Sequence, residues 1–392
     1  MVVYFSMEAK HVPATPSVIA WAIRESGYSL RALATLLHLS EREIDSWTKG
    51  NSPEIAKLQA FAAAVERPFS AFLLPRPPAS PGPSVKFRSA SSANARELNP
   101  EERRRIREAA RLQEITSWLT RQMQLPAPDI PLSSTKTNPE DVAATIRARL
   151  MVSLNTQLSW SSPAEALRAW REAVEALGIA VLMLPMGEES CRGFCIWDDA
   201  APLIAINTAW LPEARVFTLF HELAHLATRT NSACAEDAAP RSSTAGDRTE
   251  RWCERVAAAV VVPSEALSTV LLEISGRPPG RSVDLSTVSR IASRFRVSRR
   301  AAALRLIECQ GASWPLFRSI PPHNDRQQSG GGGAGRTRAE IRRQRYGQRT
   351  MALFRDAVRQ RVVTAADVVD YLDVSADALI TSVAQPVNHE DV

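Results

Sequence analysis

The sequence predicts a mainly α-helical chain with one small α+β domain, an all-α domain at the N-terminus and a helical C-terminal region. Apolar residues recur every three or four positions through most of its length, the spacing that gives a helix one buried face. The runs that suit strands are few and short, and they cluster at residues 179–184, 193–196 and 202–206. Stretches rich in Pro, Gly and Ser separate these segments and mark where regular structure stops.

Residues 13–78 read as the all-α domain. Helical spacing runs through 17–26, 30–37, 41–49 and 55–65. Gly27 parts the first two helices, and Gly50-Asn51-Ser52-Pro53 breaks the chain before the fourth. Ser29 and Ser40 stand where N-caps belong. Prolines 77, 78, 81 and 83 close the segment. Residues 79–139 then form a Pro-rich linker and a connecting helix over 99–123. Pro100 suits its first turn, Glu101 and Glu102 suit its dipole, and Ile106, Ala109, Ala110, Leu112 and Ile115 make its apolar stripe. Arg103–Arg105 read as a solvated face of that helix.

Residues 140–275 are the α+β domain. A helix over 163–177 ends at Gly178, the three strand candidates follow, and helices are expected over 215–228 and 248–262. A helical extension covers 276–320. Residues 321–337, with Gly330–Gly333, read as a flexible linker, and 338–385 as C-terminal helices. Trp21, Trp47, Trp118, Trp160 and Trp252 are expected in the core.

A length of 392 residues suggests two or three domains, and 45% hydrophobic with 23% charged residues is enough for real cores. No run of eighteen apolar residues suggests a membrane span, and the first residues lack the pattern of a secretory signal. Five cysteines are too sparse for a disulfide framework. The expectation is a cytoplasmic protein with no membrane partner. Cys191 and Cys195 have C-x3-C spacing, but no second Cys/His pair stands at finger distance, so a structural zinc is not read there. The net charge of +6 comes from Arg spread along the chain. It points to nucleic acid only if one segment has the shape of a DNA reader.

The strongest chemical signal is His221-Glu222-Leu223-Ala224-His225. Two histidines four apart on a helix emerge on one face about a turn apart, and neutral imidazoles so placed can share one zinc ion. Glu222 beside them can take a proton from a water that the metal activates and later deliver it to a leaving amine. The surrounding Val216, Phe217, Leu219, Phe220 and Leu226 bury the helix. Only six histidines exist, and two are in this motif. A catalytic zinc needs a third protein ligand, and no further histidine follows nearby. Glu250 and Glu254, one turn apart on the next helix, can each supply a carboxylate, with Glu250 preferred. Glu236, Asp237 and Asp247 are weaker candidates. Cys253 reads as a small buried residue, since no local histidine would activate it.

Gly193-Phe194, then Ile204-Ala205-Ile206-Asn207, then Arg215-Val216-Phe217-Thr218-Leu219 leading into the histidine motif, then Glu250-Arg251-Trp252-Cys253 and Val262-Pro263 occur in one order. This succession resembles the ImmA/IrrE family of metallopeptidases. The resemblance is close over 193–263 and looser beyond, where Arg296-Val297-Ser298 and Tyr346-Gly347 echo it. It implies a zincin-like domain, with His221, His225 and Glu250 as zinc ligands and Glu222 as general base. Two departures stand out: Glu254 where the family usually has Asn, and Ala224 where Gly is common. Tyr346 and His323 are candidates for the oxyanion donor only if the C-terminal segment folds back.

The run from Leu30 to Leu37, the turn at Leu39-Ser40 and the segment from Glu41 to Trp47 have helix–turn–helix spacing and resemble the Xre/Cro repressor type. Arg24, Arg31, Arg42 and Lys49 are the candidates for phosphate contact, although Glu41, Glu43 and Asp45 make the reading helix acidic. Together these readings predict a regulatory zinc protease that cleaves a partner protein. The resemblance implies a repressor as that partner, and the helical domain implies operator DNA. The alternatives are a non-proteolytic helix–turn–helix regulator, favoured by Glu254, and an antitoxin-like partner using the peptidase-like domain as sensor or scaffold. No motif speaks to oligomeric state.

Overall fold

The computed structural model describes residues 11–78, 98–234, 245–275, 283–321 and 338–374. The linker expected at 321–337 therefore lies outside the described residues from 322 onward, as do His323, Glu236, Asp237 and the C-terminal stretch after 374. The fold is mainly helical with one small sheet. Among the described residues no single helix is long and apolar enough to cross a membrane.

The chain divides into two compact units, with the break in the long helix after Arg107. The first unit contains α1 (Pro16–Ser26), α2 (Leu30–Leu37), α3 (Glu41–Thr48), α4 (Ile55–Ala64) and a 3-10 turn at Phe69–Leu73. Ser29 and Ser40 cap α2 and α3 as expected, their hydroxyls accepting from the Ala32 and Glu43 amides. Trp47, Phe61 and Phe72 meet edge to face in its core, with ring centroids 5.8 and 5.5 Å apart. Of Arg103–Arg105, expected as a solvated face, only Arg104 is exposed, and all three are engaged. Arg103 donates to the Arg24 carbonyl at 3.4 Å, Arg104 pairs with Glu66 at 2.5 Å and Arg105 pairs with Glu101 at 2.8 Å. The start of α5 (Pro100–Gln122) runs past the end of α1, whose last carbonyls need donors.

The second unit holds the remainder of α5, then α6 (Pro139–Leu150), α7 (Leu154–Ser159) and α8 (Pro163–Ala176). The strands are β1 (Ala180–Leu184), β2 (Gly193–Ile196), β3 (Leu203–Asn207) and β4 (Ser232–Cys234), ordered β1-β3-β2-β4. β1 runs parallel to β3, while β2 is antiparallel to both β3 and β4. Every residue of β2 and β3 is buried, which accounts for their unbroken apolar character. α9 (Pro212–Ala227) packs on β2 and β3 and is flanked by α8 and α10 (Ala245–Val261). α11 (Ser264–Ser275), α12 (Leu285–Phe295), α13 (Arg299–Gln310) and α14 (Trp314–Arg318) extend the helical layer, and α15 (Arg338–Arg359) with α16 (Ala365–Leu372) completes the unit.

Trp21, Trp47, Trp160 and Trp252 are buried, whereas Trp118 is 43% exposed. On α5 the buried positions are Glu102, Ile106, Ala109, Ala110, Leu112, Gln113, Thr116, Ser117, Leu119 and Thr120, a broad face that leaves 111, 114, 118 and 121 exposed on the other side. Trp118 belongs to that outer row.

Candidate metal centre

α9 begins with Pro212 in its first turn and Glu213 beside it, both favourable at a helix start. From Thr218 to Ala227 every residue is buried. Phe220 stacks edge-on against Trp170 of α8, 4.9 Å between centroids, and fixes the rotation of the helix. That rotation turns His221 and His225 toward α10, where Glu250 stands.

The three side chains converge. His221 Nε2 and His225 Nε2 are 3.1 Å apart, and Glu250 Oε2 is 3.2 Å from the first and 3.4 Å from the second. These donor atoms make the one His/Cys/Asp/Glu cluster of metal-binding type among the described residues. Ligand atoms about 2.0–2.1 Å from a zinc ion at tetrahedral angles lie about 3.3 Å apart, so the triangle has the edge lengths of three corners of such a site. The donor chemistry agrees. Two imidazole nitrogens facing each other can share one proton at most, whereas a single cation would serve both nitrogens and the carboxylate together.

The other nitrogen of His225, Nδ1, lies 3.3 Å from Thr230 Oγ1, a partner that holds the ring with Nε2 toward the cluster. Thr230 reaches this place because the chain reverses after α9 through Arg229, whose φ is 54°, and the Thr230 amide donates to the His225 carbonyl at 3.1 Å. Two residues further, Ser232 donates from its hydroxyl to Glu222 Oε2. Glu222 is completely buried, and its second oxygen, Oε1, has no hydrogen-bond partner among the described residues.

Gly193 lets α9 approach the sheet. A Cβ there would lie 2.6 Å from Thr218 Cγ2, 2.8 Å from the Ala205 carbonyl and 3.5 Å from Glu222 Cγ. The absence of a side chain at this position sets the depth at which Glu222 sits.

The electrostatics follow the packing. Burial presses the His221 imidazolium toward its neutral form, but the Glu250 hydrogen bond and the Glu250, Glu222 and Glu254 charges more than reverse this, so its pKa is raised. Burial works to raise the Glu250 carboxyl, and the two histidines overcome it and hold it far below its ordinary value. Glu254 is raised by burial and the Glu250 charge, despite His221 and Arg251, which favours its neutral form. Its carboxylate is not part of the donor cluster. Burial drives the Cys195 and Cys253 thiols well up, with Glu222 and Glu250 respectively the next largest causes, so both stay protonated.

The structure thus brings His221, Glu222, His225 and Glu250 together, and leaves Glu254 beside them. Asp247 is in α10, but its side chain is outside the described residues. Tyr346 is buried with its hydroxyl donating to Glu108 at 3.4 Å, and α15 packs along β1, the sheet edge opposite β4. It therefore lies away from Glu222. Arg24, Arg31, Arg42 and Lys49 are all exposed on the first unit, with Lys49 paired to Asp45 of α3. Sequence reasoning passed over Thr230, Ser232 and the spacing role of Gly193. The polar Thr228-Arg229-Thr230-Asn231-Ser232 run directly after a metal-motif helix is the signal that could have found the first two.

No curated protein matches the chain. Residues 174–306, which include the four clustered side chains and run from the end of α8 into α13, match the model of the IrrE N-terminal-like domain of the M78 peptidases, and this segment is similar to that zincin-like peptidase domain.

Proposed function

We propose that this protein is a zinc-dependent endopeptidase that cuts a partner protein, a transcriptional repressor, and that its first unit binds operator DNA. The observation that carries the reading is the set of His221, His225 and Glu250 donor atoms at tetrahedral edge lengths, beside a buried glutamate with one unpartnered oxygen. A zinc ion held by these three residues would acidify water and polarise the scissile carbonyl. Glu222 Oε1 takes the proton of the attacking water and then passes it to the departing amine, which leaves as a neutral group. Thr230 keeps the His225 ring in its orientation. Glu254 stands where ImmA/IrrE relatives usually have Asn, and its burial favours the uncharged acid.

Support for DNA binding comes from α2 and α3, joined by three residues with His38 in the left-handed conformation at the turn. The acids of α3 are partly neutralised, Asp45 by Lys49 and Glu43 by Lys57 at 2.8 Å, which leaves exposed Arg42 and Arg31 to meet phosphate.

The test has two arms. The purified chain is expected to hold one zinc per molecule and to create new N-termini in a proteome-derived peptide library, with Glu222→Gln keeping the metal and abolishing the cuts. A zinc-free preparation that cannot be loaded would end the peptidase reading. Zinc without cleavage, with DNA binding retained in the Glu222→Gln variant, would instead favour a non-proteolytic regulator.

A further inference from the structure

Resting on the reading of Glu222 as the base, we infer that Ser232 is a positioning residue that occupies Oε2 of Glu222 and thereby dedicates Oε1 to the reacting water. The geometry comes from a strand the peptidase motif does not contain. β4 pairs with β2 so that Ser232 lies opposite Cys195, and Ser232 is 4% exposed. Among the described residues its hydroxyl meets two side-chain atoms, Glu222 Oε2 and Cys195 Sγ, the latter at 3.3 Å.

Donor bookkeeping settles where the single hydroxyl proton goes. The contact runs from the Ser232 hydroxyl as donor to Oε2 as acceptor. The Cys195 thiol keeps its own proton, with the Thr230 carbonyl 3.5 Å away and Ser232 Oγ as its acceptors. Ser232 is therefore not drawn off to the sulfur. Oε1 of the same carboxylate is fully buried and has no partner among the described residues. Leaving a buried acceptor unpaired is costly, and a free carboxylate would rotate to exchange its oxygens or withdraw toward any donor within reach. The Ser232 bond opposes that rotation. Thr230 and Ser232 thus act from one short segment on two roles: the first holds the His225 ring and the second holds the base. A residue serving only to complete β4 would need no hydroxyl aimed at Glu222.

The experiment uses the full zinc-loaded chain as wild type, Ser232→Ala, Ser232→Thr, Glu222→Gln and the Ser232→Ala/Glu222→Gln double variant. Acetohydroxamic acid is the probe, because it binds zinc and can hydrogen-bond to the base beside it. Zinc content, thermal midpoint and calorimetric affinity are measured for each. Zinc content should stay at one per chain throughout. Ser232→Ala should weaken acetohydroxamate about tenfold, the size of one hydrogen bond to a charged group, while Ser232→Thr stays close to wild type. In the Glu222→Gln background the alanine change should have little further effect, and the two thermal shifts should fail to add. If Ser232→Ala does not fold, Ser232→Cys, similar in shape but a weak donor, carries the comparison. Wild-type affinity in Ser232→Ala, or simple additivity with Glu222→Gln, overturns the assignment while leaving the metal centre intact. Failure of the wild type to take up zinc removes the underlying reading and this inference with it.

Discussion

Arg171 and Glu175, one turn apart on α8, together fill the gap where α15 is broken at Gly347. Arg171 Nε donates to Glu175 Oε1 at 2.9 Å, and its Nη1 donates to the Gln344 carbonyl at 2.6 Å, at the end of the first half of the helix. Glu175 Oε2 accepts from the Gln348 and Arg349 amides at 3.0 and 3.2 Å, at the start of the second half. The cation meets orphan carbonyls and the anion meets orphan amides, so each end of the break receives the charge its dipole favours. Gly347 has φ of 82°, and a Cβ on it would lie 1.9 Å from Glu175 Oε1. Gly347→Ala should destabilise the protein by at least ~1–3 kcal/mol, from backbone strain alone. Glu175→Gln should cost about 3–5 kcal/mol by stranding the buried Arg171 charge. Urea unfolding of both variants checks the pair.

Stability of the metal-free protein should depend on pH through His221. Its folded pKa lies above the ordinary 6.5, so the group contributes stability fully below that value and loses it as pH rises through the elevated folded pKa. Chelated protein should therefore melt lower at pH 8 than at pH 6, and His221→Ala should flatten the difference. Zinc has to displace that proton, so its affinity should rise over the same interval. Thermal scans with and without chelator at several pH values read both effects.

Asp284 caps α12, and hydrogen bonds from Thr287 and Ser286 hold its carboxyl down at about 2. The sign is opposite to that of His221. The cap is fully present above the ordinary value of 3.8 and is lost as pH falls toward 2. Asn is an equally good cap that does not titrate. Asp284→Asn should leave neutral stability nearly unchanged and move the acid-unfolding midpoint to lower pH, as followed by circular dichroism.

Gly193→Ala should push α9 away from the sheet, at a cost of about 1–3 kcal/mol for overpacking. Thr218→Ser removes the Cγ2 atom that lies closest, so the double variant should recover part of the loss, the Ala205 carbonyl remaining in the way. Zinc content measured beside stability should fall with the single variant and return in part with the double.

Arg42→Ala should weaken DNA binding at all sequences and lower the dependence of log affinity on log salt by about 1 if the side chain neutralises one phosphate. Fluorescence anisotropy on duplexes at several salt concentrations measures the slope.

Much of the site was legible in local sequence because its main parts are local. His221 and His225 are one turn apart, and helical periodicity alone puts them on one face. Glu250 could be named beside Glu254, but the choice between them required the rotation of α10 against α9. Ser232 and Thr230 were not legible, since their partners are fixed by the chain reversal at Arg229 and by pairing with Cys195 across the sheet. α6 was readable and passed over: Asn138 caps it, Pro139 starts it, and Val142, Ala143, Ile146 and Leu150 are its buried face. The prolines just before it drew attention to a break. The interruption at Gly347 looked like ordinary helix because the charges that stabilise it are on α8, far away in sequence.

The placement of α6 along α10 and of α15 along β1 bears on how this protein can be dissected. A recombinant piece trimmed to the recognisable stretch would begin inside α8, without Arg171, and would leave one side of α10 and a strand edge uncovered. Such a piece invites aggregation, so fragment design should keep the chain from α6 through α16 whole.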